Sequence, residues 1–330
     1  MPPVTRRRYI GITAAAAGLN LLPFGYRAKA QDVVTWKGVA LGAVASMQIH
    51  HSDRATAERL ITLSIREVHR LERMFSLYRP DSALVVLNSR GVLEAPPKEL
   101  VELLIECDRY TKLTSGAFDP TVQPLWTLYA SHFSRAGADP AGPLPEAIEA
   151  TLEKTGFGKV LVGQDRVAFA RRGMALTLNG IAQGYITDRI VALLRSHGID
   201  HSLVDLGESR TIGARPDESA WQVGIADPDQ PSRVAETVPI IDQAVATSGS
   251  YGFRFDTQGR FNHLFDPKTG LSPNRYRSVT VIMPTATAAD ALSTAFSMMP
   301  VEHVQNTVKY LECGQVRISA TDGQRLAFAP

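Results

Sequence analysis

Four short stretches hold the residue types from which a reaction centre could be built. In Thr287-Ala288-Ala289-Asp290-Ala291-Leu292-Ser293-Thr294-Ala295, Asp290 and Thr294 are four residues apart, so a helix would place them on one face with Ser293 beside them. These are hard oxygen donors with little charge, the kind of set magnesium takes when phosphates supply its remaining ligands. An Asp favoured near a helix start by the helix dipole would give the same pattern. In Asn262-His263-Leu264-Phe265-Asp266-Pro267-Lys268-Thr269-Gly270, a histidine stands three residues before an Asp-Pro-x-Thr-Gly turn. Such a turn can aim the imidazole at a hydroxyl as general base, or can simply leave a solvent-facing His on a hairpin arm. Leu178-Asn179-Gly180-Ile181-Ala182-Gln183-Gly184-Tyr185 runs from a strand-like segment into a helix with two glycines at the join. Backbone can approach a ligand closely there, and the free N–H groups of a helix start suit a phosphate. Ser115-Gly116-Ala117-Phe118-Asp119-Pro120-Thr121 places an aromatic ring and a carboxylate on a tight loop, which also reads as an ordinary helix exit.

Common nucleotide and hydrolase machinery is missing from the sequence. It contains no GxxxxGK[ST], no GxGxxG after a strand, no HExxH, no GxSxG and no EF-hand loop.

The elements that must carry these stretches follow from hydrophobic spacing. Val33 to Ile49 alternates loosely and suggests a strand pair. After Ser52-Asp53, the residues Ala57, Leu60, Ile61, Ile65, Val68, Leu71 and Phe75 recur at helical spacing, and this stripe is core. Pro97 opens a second helix whose face holds Leu100, Leu103, Leu104 and Cys107. Short Val/Ile-rich runs at 159–162, 167–170, 174–178, 221–225 and 278–283 predict strands, interrupted by helices over 180–196 and 287–299. Runs of strands and helices without strict alternation predict an α+β fold, with largely antiparallel sheets and helices packed on them. The Ala-, Gly- and Pro-dense stretch 134–146 reads as a loop or a connection between two lobes.

The first thirty residues are expected to lie outside that fold. Arg6-Arg7 precedes an apolar run from about Ile10 to Phe24, and Ala28-Lys29-Ala30 supplies a small-x-small cleavage site, the form of a twin-arginine export signal. The run of about 15 residues is short against the ~20 a spanning helix needs. The expected domains are therefore a signal over 1–30 and one domain over 31–330, periplasmic and without a membrane span. The signal carries five of the Lys/Arg residues and no acid, so the whole-chain charge of +2 becomes −3 without it. That balance gives no basic stripe for nucleic acid. Cys107 and Cys313 are the only cysteines and show no metal spacing, leaving either two free thiols or a disulfide in an oxidising compartment.

Taken together and in this order, the four stretches resemble the bacterial FAD:protein FMN transferase (ApbE-type) family, over nearly all of the chain that follows the signal. Further pieces match: Leu41-Gly42, the segment from Ser76-Leu77-Tyr78 through Ser82 to Asn88, and Thr247-Ser248-Gly249-Ser250-Tyr251. The resemblance implies two lobes around a flavin cleft. It also implies a Mg²⁺ ion held by Asp290, Thr294, Ser293 and the Gly180 carbonyl, with FAD as substrate lying along Leu41, Tyr78, Ala117, Phe118, Asp119, Thr177, Gln183 and Leu264. His263, assisted by Asp266, would deprotonate a Thr or Ser hydroxyl of an acceptor protein, which attacks the FMN phosphorus and releases AMP. Twin-arginine export of such a protein resembles the NosX-like branch of nitrous-oxide respiration, whose acceptor is a membrane-associated flavoprotein.

The chain departs from the family pattern at three places. Thr177 stands where an acid is usual, Gln183 where a Lys is usual, and Glu208 where a second Gly follows Gly207. The first two changes favour a rival reading, a flavin-binding or flavin-delivery protein without transfer. A second rival is an FAD pyrophosphatase in which water replaces the acceptor.

Overall fold

A computed structural model describes residues 33–330, and the signal expected over 1–30 lies outside the described residues. The chain opens with a hairpin of β1 (Val33–Ala40) and β2 (Ala43–His50). Its two turn residues, Leu41 and Gly42, both have positive φ (55° and 79°), the geometry that matches a two-residue turn to strand twist. Helix α1 (Arg54–Phe75) follows, its start capped by the Asp53 carboxylate, which accepts from Ala55 N at 3.0 Å. The expected stripe faces inward, with Ile65 at its edge and Ser64 buried among the apolar residues. Next come α2 (Ala83–Arg90), β3 (Val92–Glu94) and α3 (Lys98–Leu113), the last starting after Pro97 as its spacing predicts.

The middle of the chain holds α4 (Gln123–Phe133), α5 (Pro145–Leu152), β4 (Val160–Val162), β5 (Arg166–Phe169) and α6 (Ala182–Ser196). The rest comprises β6 (Ser202–Asp205), β7 (Ser209–Ile212), β8 (Trp221–Ala226), β9 (Val234–Ile240), β10 (Ala244–Gly249), β11 (Tyr276–Met283), α7 (Ala286–Phe296), α8 (Val301–Leu311), β12 (Gln315–Ala320) and β13 (Arg325–Phe328). An eight-stranded sheet runs β1-β2-β6-β7-β10-β11-β12-β13, with every neighbouring pair antiparallel. Two smaller antiparallel sheets, β3-β5-β4 and β8-β9, complete the α+β architecture.

The predicted strand over Met174–Leu178 is absent. The segment meets no neighbouring strand; instead the Asn88 carboxamide accepts from Leu176 N (2.7 Å) and donates to Leu176 O (2.8 Å), and Thr177 N donates to Pro120 O (2.8 Å). A side-chain amide here does what a sheet neighbour would do, satisfying backbone that leads into the site.

Two features of this fold matter for function. Helix α7 is buried nearly all round by small residues, so it runs through the main core between α6 and strands β10 and β11. Its polar residues are therefore carried into the interior, where they need partners. Separately, Leu125, Tyr129 and Phe265 form a satellite core with Trp126, Phe133, Ile148, Leu152, Phe255 and Phe261. This core joins α4 and α5 to the 253–271 loop, and residues 134–144 run between those two helices.

Candidate active site

Between the main core and the aromatic satellite lies a cavity of about 280 Å³. The α7 wall is built from oxygens. Thr285 caps the helix through its hydroxyl, and the first turn is held from outside by Asp188, which accepts from Ala286 N (2.8 Å), Thr287 N (2.9 Å) and Thr287 Oγ1 (2.6 Å). Asp188 is itself paired with Arg210 on β7, both side chains largely buried, so the register of α7 is fixed by an ion pair that sequence spacing does not reveal.

Asp290 then projects where Gly184 of α6 donates its N–H to Oδ2 at 2.9 Å. Gly184 must be glycine: a Cβ there would lie 2.2 Å from Ala286 O. The glycine join expected to cradle a ligand thus serves first to bring α6 against α7. Gly180 also lines the cavity, its Cα so close to Thr294 that a Cβ would sit 2.8 Å from Thr294 Oγ1. Ser293 is not a lining residue; its hydroxyl meets Ser248 Oγ at 2.8 Å and donates to Asp290 O at 3.0 Å. Ser248, which also lies 3.3 Å from Thr294 Oγ1, is a site residue to which sequence spacing gives no role.

Burial pushes the Asp290 carboxyl up to about 7, with the Asp188 charge adding to the shift and the Gly184 N–H opposing it. Glu208, in the β6–β7 turn, also lines the cavity. Burial first, then the charges of Asp290 and Asp205, push its carboxyl well above the usual range. No Lys or Arg is among the lining residues, so this end has carboxylates and hydroxyls without a cation. Hard oxygens from Asp290, Thr294 and the Gly180 main chain would suit a divalent cation whose other ligands come from a phosphate ligand. Among the described residues no cluster of three or more His, Cys, Asp or Glu could hold a metal unaided.

The rest of the lining is largely apolar and aromatic: Tyr78, Phe118, Val122, Trp126 and Leu264, with Ala117 beside Phe118 and Met298 just beyond the end of α7. Trp126 packs against Phe253 and Phe255, with ring centroids 6.1 and 5.7 Å away. Phe118 is placed by the exit of α3, where Ser115 and Gly116 take positive φ and Thr114 Oγ1 accepts from Phe118 N at 3.0 Å. Asp119 lines the cavity with its carboxylate already used. Oδ1 accepts from Thr121 N (2.8 Å) and Thr121 Oγ1 (2.6 Å), and Oδ2 accepts from Phe157 N (3.0 Å). Thr177 and Gln183 both line the cavity. Leu41 does not: it stays at the β1–β2 turn and packs on the main core.

His263 lines the cavity, its Nδ1 3.3 Å from both the N and the O of Phe253. Burial lowers its pKa from 6.5 to about 4, so the ring is neutral over a wider range than an exposed histidine. The following segment is positioned by Asn262, fully buried, whose Oδ1 accepts from Leu264 N at 3.0 Å. Asp266, expected to assist His263, is a turn residue instead. Its Oδ1 accepts from Lys268 N (2.8 Å), its carbonyl closes the turn on Gly270 N (2.8 Å), and it is not among the cavity-lining residues. Tyr129 secures the turn by donating from its hydroxyl to Gly270 O at 3.1 Å. Both cysteines are free thiols, and burial raises the pKa of Cys107, which suits an inert core residue.

The ApbE family model matches residues 41–317, which span every element lining the cavity. The chain belongs to the ApbE family. The FAD:protein FMN transferase of Treponema pallidum is 33% identical, covering 80% of this chain and 78% of that protein. Its counterpart from Escherichia coli K12 is 27% identical over 91% of this chain and 89% of its own length. The crystal structure of the ApbE protein from Thermotoga maritima, 29% identical, superposes with a TM-score of 0.78 over 90% of this chain and 97% of that one. Fold and family thus agree with what the motifs implied, and the family is one of transferases. Among the described residues no helix is long and apolar enough to cross a membrane.

Proposed function

We propose that this ApbE-family enzyme transfers the FMN half of FAD to a Thr or Ser hydroxyl of an acceptor flavoprotein, with Mg²⁺ and with release of AMP. The observation that carries the reading is a single cavity with two chemically opposite walls. Asp290, Thr294 and Gly180 stand at a polar end free of cationic side chains, and His263 and an aromatic wall stand on the other side. A flat flavin needs the second, and a pyrophosphate brought in with a divalent cation needs the first.

The donors fit magnesium: Asp290, Thr294 and the Gly180 carbonyl would hold it, with Ser293 and Ser248 orienting Thr294 and the Asp290 backbone. When bound, the ion neutralises the pyrophosphate oxygens. The protein does the rest by placement. Tyr78, Ala117, Phe118 and Leu264 supply surface for the flavin, and Thr177 and Gln183 border the pyrophosphate path. His263 can act as general base from Nε2 when Nδ1 donates to Phe253 O, the tautomer that leaves Nε2 its lone pair. The acceptor oxygen then bonds to the FMN phosphorus as its proton passes to Nε2. The bond to the AMP phosphate oxygen breaks, and AMP leaves with the electron pair. Burial keeps the ring unprotonated at neutral pH, although a base with a pKa near 4 is weaker than one near 6.5.

The site of action we propose is the periplasm, reached through the twin-arginine signal of residues 1–30. The acceptor we propose is the FMN-binding domain of a membrane-associated respiratory flavoprotein, as in the NosX-like branch. Incubation with FAD, Mg²⁺ and such a domain, read by intact mass, tests the chemistry. Covalent FMN on the acceptor with stoichiometric AMP supports transfer. Free FMN and AMP alone would mean hydrolysis, and unaltered bound FAD would mean a binding protein.

A further inference from the structure

Three carboxylates line the cavity, and they are not equivalent. Asp119 is saturated by Thr121 and Phe157. Asp290 and Glu208 are only 4% and 5% exposed, and no Lys or Arg stands among the lining residues to neutralise either. Glu208 is held by its backbone: Gly207 turns at φ +105°, Leu206 N donates to Glu208 O at 3.4 Å, and Thr187 Oγ1 donates to the same carbonyl at 3.3 Å. Its side chain lines the same cavity as Asp290.

A second observation comes from the neighbouring helix. Gln183 is 9% exposed and lines the same cavity, and its Nε2 is buried without any hydrogen-bond partner. The amide is packed onto the β6–β7 turn so closely that a Cβ on Gly207 would lie 2.4 Å from that Nε2. An amide turned onto the Gly207 backbone neutralises neither carboxylate, and buried carboxylates need a cation. A pyrophosphate entering beside two carboxylates adds like charge to like charge unless a cation is already there.

We infer that Glu208 is a second carboxylate for the divalent cation at Asp290, so that this chain takes up the cation before FAD arrives. The inference rests on the magnesium reading of Asp290 given above.

The test uses the mature chain without flavin, with MnCl₂ as the probe, read by titration calorimetry and by the free-Mn²⁺ EPR signal. Wild type is expected to bind Mn²⁺ without FAD, and Glu208→Gln, which keeps the size of the side chain, is expected to bind about 10- to 100-fold more weakly. Asp290→Asn serves as the reference for loss of the seat, and Glu208→Gly as a second variant should Gln fold poorly. A Mn²⁺-dependent rise in Tm, present in wild type and reduced in the Glu208 variants, is an independent readout. Failure of wild type to bind Mn²⁺ without FAD overturns the inference. So does wild-type affinity in Glu208→Gln beside a defect in Asp290→Asn, and in that case the Asp290 reading stands. Unchanged Mn²⁺ affinity in both variants overturns the two together.

Discussion

The two walls of the cavity are stabilised by different parts of the molecule. The oxygen wall belongs to α7 and the β6–β7 turn, inside the main core, where nearly every backbone and side-chain position is fixed from several sides: Asp188 at the helix start, Gly184 against Ala286, Ser248 against Ser293. The wall that carries His263, Leu264 and Trp126 belongs to elements on a satellite core of a few rings, tied down by Asn262, the Asp266 turn and Tyr129, while Phe118 beside it packs on the main core. A rigid wall can hold buried charges in readiness for a cation and phosphate, at a cost to stability. In the proposed reaction, a loop wall can yield to an acceptor protein bringing its hydroxyl to the phosphorus, and loops commonly carry such contacts. Retention of the cofactor should therefore fail at the first wall, and chemistry at the second.

The largest effect is expected from Asp290→Asn. It should reduce transfer to background and remove the dependence of FAD binding on Mg²⁺. Because the substitution removes a buried charge while keeping an acceptor for Gly184 N, the metal-free protein should melt at the same or a higher temperature. A variant that melts lower yet still transfers FMN would make Asp290 a structural residue.

His263→Asn should come next, lowering the transfer rate by ~10²–10⁴-fold, the usual worth of general-base help, with FAD and Mg²⁺ binding nearly unchanged. In wild type the acid limb of the rate profile should fall near pH 4 and not near 6.5, because burial makes the ring harder to protonate. The same shift has a sign for stability. The folded chain binds this proton less tightly than the unfolded chain, so the stability the neutral ring confers is present above about 6.5 and is lost as pH falls towards 4. Melting temperatures from pH 7 to pH 4 should show that decline in wild type and less of it in His263→Asn. Equal loss of binding and transfer would make His263 a cofactor contact.

A smaller effect is expected at Asn88, which does not line the cavity but is bonded twice to Leu176. Asn88→Ala leaves two backbone groups without partners, at about 1–3 kcal/mol each if they stay buried, and loosens the segment that delivers Thr177 and Gly180. A lower Tm and weaker FAD binding, with kcat changed less, would separate this positioning role from chemistry.

These residues show what a sequence can and cannot disclose about such a site. Helix stripes, Pro97 and the motif order are legible because each is a local pattern, and they lead to the α+β fold, the family and about half of the residues lining the cavity. The Met174–Leu178 segment reads as a strand and is not one, because its partner, Asn88, is an amide 88 residues away, and periodicity carries no trace of it. Glu208 and Ser248 stand in stretches the family pattern marks, yet their place in the site is not read from it for a related reason: sheet topology brings the β6–β7 turn and β10 to α7, and local spacing carries no trace of that approach. Family pattern assigns Leu41 to the cofactor, and its turn keeps it on the core side.

Asp266 gives the smallest expected effect and the sharpest test of the loop wall, because a carboxylate three residues from a candidate base invites a catalytic reading. In the structure that carboxylate holds a turn. Its Oδ1 accepts from Lys268 N, while the Asp266 carbonyl and N–H close the turn on Gly270 N and Leu271 O. An amide oxygen can accept the same bond, so Asp266→Asn should leave the transfer rate within about two-fold and the pH profile unmoved, as expected for a turn in which Asn and Asp are interchangeable. Asp266→Ala removes the acceptor and should cost about 0.5–1.5 kcal/mol of stability, the net worth of one hydrogen bond, with a modest drop in rate as the loop carrying His263 loosens. Rate and Tm should then fall together in Ala and neither in Asn. If Asp266→Asn instead lost 100-fold or more in rate at unchanged Tm, or moved the acid limb of the profile, its charge would be acting on His263, and the loop wall would hold a catalytic pair where the geometry shows a turn.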